Sequence, residues 1–253
     1  MALGQLENPP IFEVVCGVLF DEVPALDPLQ VGLFWGKYPE RYASHELHPP
    51  IRDEAGLQAF AGVGPVRSWL VGQTGEYVLQ VQPDRLYFNW RRRGNTYPRF
   101  NTYDQPGVLD RLLEELALVK SFCLTNLKSA LEVRSIELAK IDMIDFGDFD
   151  ELERLVPAMK AARGLAQSAL PEVRLLLRET VGDVTLRTHL STALSTDLVP
   201  TLRCDILARK HLAPDGDLRE DFRGLNAVLN GTFERLLSDE ALERFSKPAS
   251  PQA

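Results

Sequence analysis

Between Trp69 and Arg93 the chain alternates apolar and polar residues in three short runs, Trp69 to Gln73, Glu76 to Gln82 and Arg85 to Arg92. Thr74-Gly75 and Pro83-Asp84 separate them, and both pairs are turn chemistry. Tyr77, Leu79 and Val81 share one face by the period of two, and Leu86, Phe88 and Trp90 form the matching face of the next run. The pattern predicts a three-stranded meander. Because Pro83 cannot take positive φ, a type I′ hairpin is excluded, and a four-residue loop from Gln82 to Arg85 built on a type I turn remains. That loop sets Val81 opposite Leu86, Gln80 opposite Tyr87, Leu79 opposite Phe88 and Tyr77 opposite Trp90. Glu76 then comes opposite Arg91 as a cross-strand ion pair.

Elsewhere the pattern changes period. Ile11 to Phe20 is rich in β-branched and aromatic residues with one charge, Glu13, and reads as a strand buried on much of both faces. Leu29 to Tyr38 reads as a helix stopped by Pro39, and the stretch up to Val66, with Pro49, Pro50, Gly62, Gly64 and Pro65, yields no clear element. Gly107 to Phe122 places Val108, Leu109, Leu112, Leu113, Leu116 and Val119 at helical spacing. The second half repeats the order loosely. Val133 to Phe146 reads as a long strand and Asp150 to Arg163 as a helix with Asp150 as its N-cap. Strands follow at Val173 to Arg178, Val184 to Leu190 and Thr201 to Arg209. Helices are expected at Leu218 to Leu237 and Ser238 to Phe245, and residues 247–253 read as a flexible tail. The expected fold is α+β, an antiparallel sheet with long amphipathic helices on one face. A single domain spans 1–253, with 10–128 and 129–246 as candidate pseudo-repeated halves.

Composition narrows the function classes. The 253 residues are 45% hydrophobic and 25% charged, an ordinary globular balance. The formal charge of -8 disfavours phosphate backbones and anionic membrane surfaces, so nucleic acid is not the expected partner. Cys16, Cys123 and Cys204 are far apart and odd in number, which suits buried thiols of a reducing compartment. No apolar stretch approaches about 18 residues and no leader pattern opens the chain, so a cytoplasmic protein without a membrane span is expected.

Candidate chemistry is sparse. The second face of the meander carries Gln80, Tyr87, Asn89 and Arg91. It reads either as a face left to water or as a binding surface offering amides, a phenol and a guanidinium. Arg91, Arg92 and Arg93, followed by Tyr97 and Arg99, form the densest basic cluster with aromatics nearby. It suits a solvated strand end, or a site for phosphate, carboxylate or single-stranded nucleic acid. His45 and His48 have only Glu46 close by and no second ligand pair, so no metal is expected. His189 and Cys204 fall on neighbouring expected strands, where a structural pair is the simpler reading than a catalytic one. No Gly-rich phosphate loop, nucleophile elbow or zinc-protease motif is present, and no cofactor is implied.

PPIFEVVCGVLF near the start, LQVQPDRLYFNWRRRGNTYPRF in the middle and LNGTFERLLSDEALERF near the end resemble an uncharacterised, sporadically distributed bacterial family of about this length. The specific part is the middle segment, with Gln80, Gln82, Pro83, Asp84, Arg85, Asn89, Trp90, Arg91, Tyr97, Pro98 and Arg99. The resemblance implies no activity. This chain departs from it twice: the strand from Glu137 to Met143 lacks an Arg-Tyr-Ile-Asn-Arg run, and Asn226 stands where histidine is common. The candidate ligand- or partner-binding set is Gln80, Gln82, Tyr87, Asn89, Arg91, Tyr97 and Arg99. Two functions remain open. The first is a non-catalytic interaction or ligand-binding accessory protein, taking another protein or a small anionic ligand, with a homodimer compatible. The second is an enzyme acting on a small anionic substrate in a cleft between the halves, with Arg91, Arg99 and Glu13 or His189 orienting it.

Overall fold

The computed structural model describes residues 6–51, 67–94, 97–98, 100, 106–163, 172–195, 197–214 and 216–247. Its strands are β1 (Ile11–Phe20), β2 (Tyr42–His48), β3 (Arg67–Gly72), β4 (Tyr77–Gln82), β5 (Arg85–Arg91), β6 (Val133–Asp145), β7 (Arg174–Val181), β8 (Val184–Leu194) and β9 (Pro200–His211). They form one antiparallel sheet in the order β2-β3-β4-β5-β1-β6-β9-β8-β7. The helices are α1 (Pro28–Lys37), α2 (Val108–Phe122), α3 (Phe149–Leu155), α4 (Lys160–Arg163), α5 (Leu218–Leu236) and α6 (Asp239–Ser246). The protein is therefore α+β with an antiparallel sheet. Among the described residues no helix is long and apolar enough to cross a membrane.

The meander forms in the expected register, with Val81 opposite Leu86, Gln80 opposite Tyr87, Leu79 opposite Phe88 and Tyr77 opposite Trp90. Pro83 and Asp84 also fasten the neighbouring strand, because their carbonyls accept from the backbone N–H groups of Val23 and Phe20. One stretch without an expected element is filled, and two local expectations are corrected. A strand, β2, occupies part of the stretch that yielded no element; its sequence YASHELH is half-exposed and polar, and a bulge falls between Tyr42 and Ser44. The helix expected from Asp150 to Arg163 is broken, since α3 ends before Val156 and Pro157 opens a separate 3-10 turn. Its N-cap is Asp148, whose side chain accepts from the Glu151 N–H, rather than Asp150.

Contacts divide the chain into two compact units, one of Met1–Glu13, Ala139–Arg209 and Arg223–Ala253, the other of Val14–Leu138 and Lys210–Phe222. In the second, Phe34 of α1 meets Phe122 of α2 edge-on at 5.5 Å, and Arg41 and Tyr42 both bond Glu115 of α2. Glu115 is buried, and these partners offset the cost of taking its carboxyl group out of water. In the first, Leu186, Leu190, Cys204 and Ile206 of the sheet and Leu225 and Leu229 of α5 are buried. Cys16, Cys123 and Cys204 are all free and buried.

Candidate functional site

Gln80, Gln82, Tyr87 and Asn89 are only 4%, 3%, 5% and 3% exposed, so the meander's polar face is not open to water as a one-sided sheet would leave it. Buried polar groups must find partners, and these find one another. Arg67 of β3 donates from Nη1 to Gln80 Oε1 at 2.7 Å, and Gln80 Nε2 donates to Asn89 Oδ1 at 2.8 Å. Gln82 is clamped by one backbone unit: the Ile51 N–H donates to its Oε1 at 2.7 Å, and its Nε2 donates to the Ile51 carbonyl at 3.2 Å. Arg85, also buried, forms a two-pronged pair with Asp84.

Tyr87 reaches furthest. Its hydroxyl donates to Glu137 Oε2 at 2.6 Å, although β1 lies between β5 and β6 in the sheet. Gly17 of β1 makes this reach possible. A Cβ there would stand 2.4 Å from Cδ1 and Cε1 of the Tyr87 ring, so only glycine leaves the ring room to lie across the strand. Burial and the Glu137 carboxylate together push the Tyr87 phenol well above its ordinary range.

Above this buried floor lies a rim of half-buried side chains. Trp69 is stacked by the His48 ring at 3.8 Å and covered by the guanidiniums of Arg91 at 4.5 Å and Arg67 at 5.1 Å. Arg67 Nε and Trp69 Nε1 are buried donors without a hydrogen-bond partner. Two residues apart on β3, they share a face. Burial lowers the Arg67 pKa, with nearby Tyr87 opposing the fall and nearby Arg91 adding to it.

The seven expected residues therefore separate. Gln80, Gln82, Tyr87 and Asn89 form the buried floor, and Arg91 belongs to the rim. Tyr97 lies on the other side of the sheet, its ring 5.1 Å from Trp90. Arg99 lies outside the described residues. Arg91 does stand opposite Glu76, with its N–H donating to the Glu76 carbonyl at 2.7 Å. The Arg91 guanidinium covers Trp69, and the Glu76 carboxylate accepts from Thr74 Oγ1. The sequence reading missed Arg67, Trp69, His48, Glu137 and Gly17. A lone glycine in an otherwise bulky apolar strand was the available signal for the last.

Residues Glu137 to Met143 lie on β6 and Asn226 on α5. Lys140 Nζ donates to Asn230 Oδ1 at 2.6 Å, while Asp142 Oδ1 and Asn226 Oδ1 are buried without a partner. Burial pushes Asp142 up to about 7, against the pull of Lys140 and with help from Asp205. Cys204 is buried, and burial with Asp142 and Asp205 raises its thiol, whereas His189 Nδ1 stands 3.9 Å from Asp205 Oδ2. These positions show no activated cysteine. Among the described residues, no group of three or more His, Cys, Asp or Glu is placed to hold a metal ion. No family model matches the chain, and no curated protein sequence matches it either.

Proposed function

We propose that this is a non-catalytic binding protein, an accessory component of the cytoplasm, that takes a small anionic ligand on the polar face of the meander. The observation that carries the reading is the pair of orphaned donors, Arg67 Nε and Trp69 Nε1, beside the Arg91 guanidinium. A buried donor left unbonded costs about 1–3 kcal/mol, and an acceptor-rich anion would recover it. The floor of locked amides supports binding rather than catalysis, because no nucleophile or general base is poised among Gln80, Gln82, Asn89 and Tyr87. The buried, free cysteines suit a reducing compartment. Two repeated halves, 10–128 and 129–246, belong to the same proposal. What supports them is that β1 neighbours β5, the last strand of the first half, and β6 neighbours β9, the last of the second.

The test uses the full chain and three probes: inorganic phosphate, citrate and adenosine monophosphate. At least one should raise the melting temperature. Trp69→Phe keeps the ring that His48 and Arg91 cover but removes the N–H, so it should weaken that stabilisation, and Arg67→Gln should abolish it. Indifference of the wild type to all three anions, or an undiminished response in Arg67→Gln, would sink the proposal.

A further inference from the structure

A second feature lies on the opposite face of the meander. A cleft of about 510 Å3 is lined by Tyr77, Leu79 and Phe88 of the sheet, by Arg41 and Glu76, and by Arg111 of α2 among others. Its floor is apolar, with the Tyr77 and Phe88 rings stacked at 5.5 Å. The volume falls in the range of small-molecule sites, roughly 300–1,000 Å3.

The charges around this floor are unevenly matched. Arg41 is committed, donating to Glu114 at 2.9 Å and to Glu115 at 2.6 Å, and the Tyr42 hydroxyl donates to Glu115 as well. Arg111 is different. Its guanidinium covers the Tyr77 ring at 4.5 Å, its Nε is buried with no hydrogen-bond partner, and no carboxylate pairs with it among the described residues. Glu76 is the converse, a carboxylate whose side-chain partner is the neutral Thr74 hydroxyl at 3.3 Å. One cleft thus presents an unmatched cation and an unmatched anion beside an apolar floor.

We infer that this cleft binds a zwitterion with an apolar body, an amino acid or dipeptide whose carboxylate meets Arg111 and whose ammonium meets Glu76. The guanidinium fork suits a carboxylate. A dianion such as phosphate is disfavoured, because the lining sets Glu76, Glu114 and Glu115 against Arg41 and Arg111. The side chain would lie on Leu79, Tyr77 and Phe88, where burying it removes apolar surface from water.

Isothermal titration of the full chain tests this with L-phenylalanine and L-leucyl-L-phenylalanine. The companions 3-phenylpropanoate and phenethylamine each lack one of the two charges. A zwitterion should bind at least about tenfold more tightly than either companion. Arg111→Ala and Glu76→Gln should each weaken it at least about tenfold, while Arg67→Gln on the other face leaves it unchanged. If Arg111→Ala disturbs the fold, as its melting would reveal, the near-isosteric Glu76→Gln in its exposed turn still decides the matter. Absence of heat with both zwitterions, equal binding of 3-phenylpropanoate, or full affinity in Glu76→Gln would overturn the inference. Since Arg67→Gln also tests the anion site, failure of one proposal leaves the other standing.

Discussion

At the residue scale, the least conspicuous position in the protein has the sharpest consequence. Gly17 lets the Tyr87 ring pass across β1 to Glu137, and a methyl there would overlap two ring carbons. Gly17→Ala should destabilise the protein by about 3 kcal/mol, the upper range for overpacking a tight core, read as a fall in the urea midpoint. Combining it with Tyr87→Val, which removes the ring, should cost less than the sum of the single changes. A strictly additive pair would mean that the ring and the glycine are not in contact. The apolar partners of the meander were legible in the sequence because alternation and one proline determine their register. The fate of Gln80 and Asn89 was not, because period two says which residues share a face but not what covers that face.

At the element scale, the two ends of the sheet differ in chemistry. β2 carries a bulge, two histidines and Glu46, devices that discourage pairing with another chain. β7 at the other end is exposed along most of its length, including Leu176, Leu177 and Val181, and has neither proline nor lysine. Leu177→Lys should therefore reduce self-association at high protein concentration, measured by sedimentation velocity. Equal sedimentation of the two proteins would show that this edge attracts nothing. The strands and helices with strong apolar periods were readable nearly to their ends, as β1, β4, β5 and α2 show. β2 was not, because its polar residues are paired through their backbones and leave no hydrophobic pattern.

At the scale of the whole molecule, stability should depend on pH through one buried carboxyl. Asp142 holds its proton up to about 7 in the folded protein, chiefly through burial. An unfolded chain releases it near an ordinary aspartate pKa of about 3.9. Below that value both states are protonated and no penalty exists. As pH rises towards 7 the unfolded state binds fewer protons than the folded one, so stability is lost across this window and the loss levels off above it. Asp142→Asn removes the titrating group, and its stability relative to the wild type should rise from pH 4 to pH 7. Urea midpoints of both proteins at several pH values measure this. A constant gap would show that Asp142 ionises as a surface carboxylate does.

By itself the sequence determined the α+β class, the meander and its pairing, and the buried thiols. Each follows from local spacing: a period of two, a proline that forbids one turn type, and small residues in apolar runs. Only the tertiary structure decided that β1 lies between β5 and β6, that the polar face is buried around Tyr87 and Glu137, and that Arg67 and Arg111 each stand without a carboxylate partner among the described residues. Those facts depend on residues brought together from distant parts of the chain, and whether a buried charge is matched is a property of its surroundings rather than of its place in the chain.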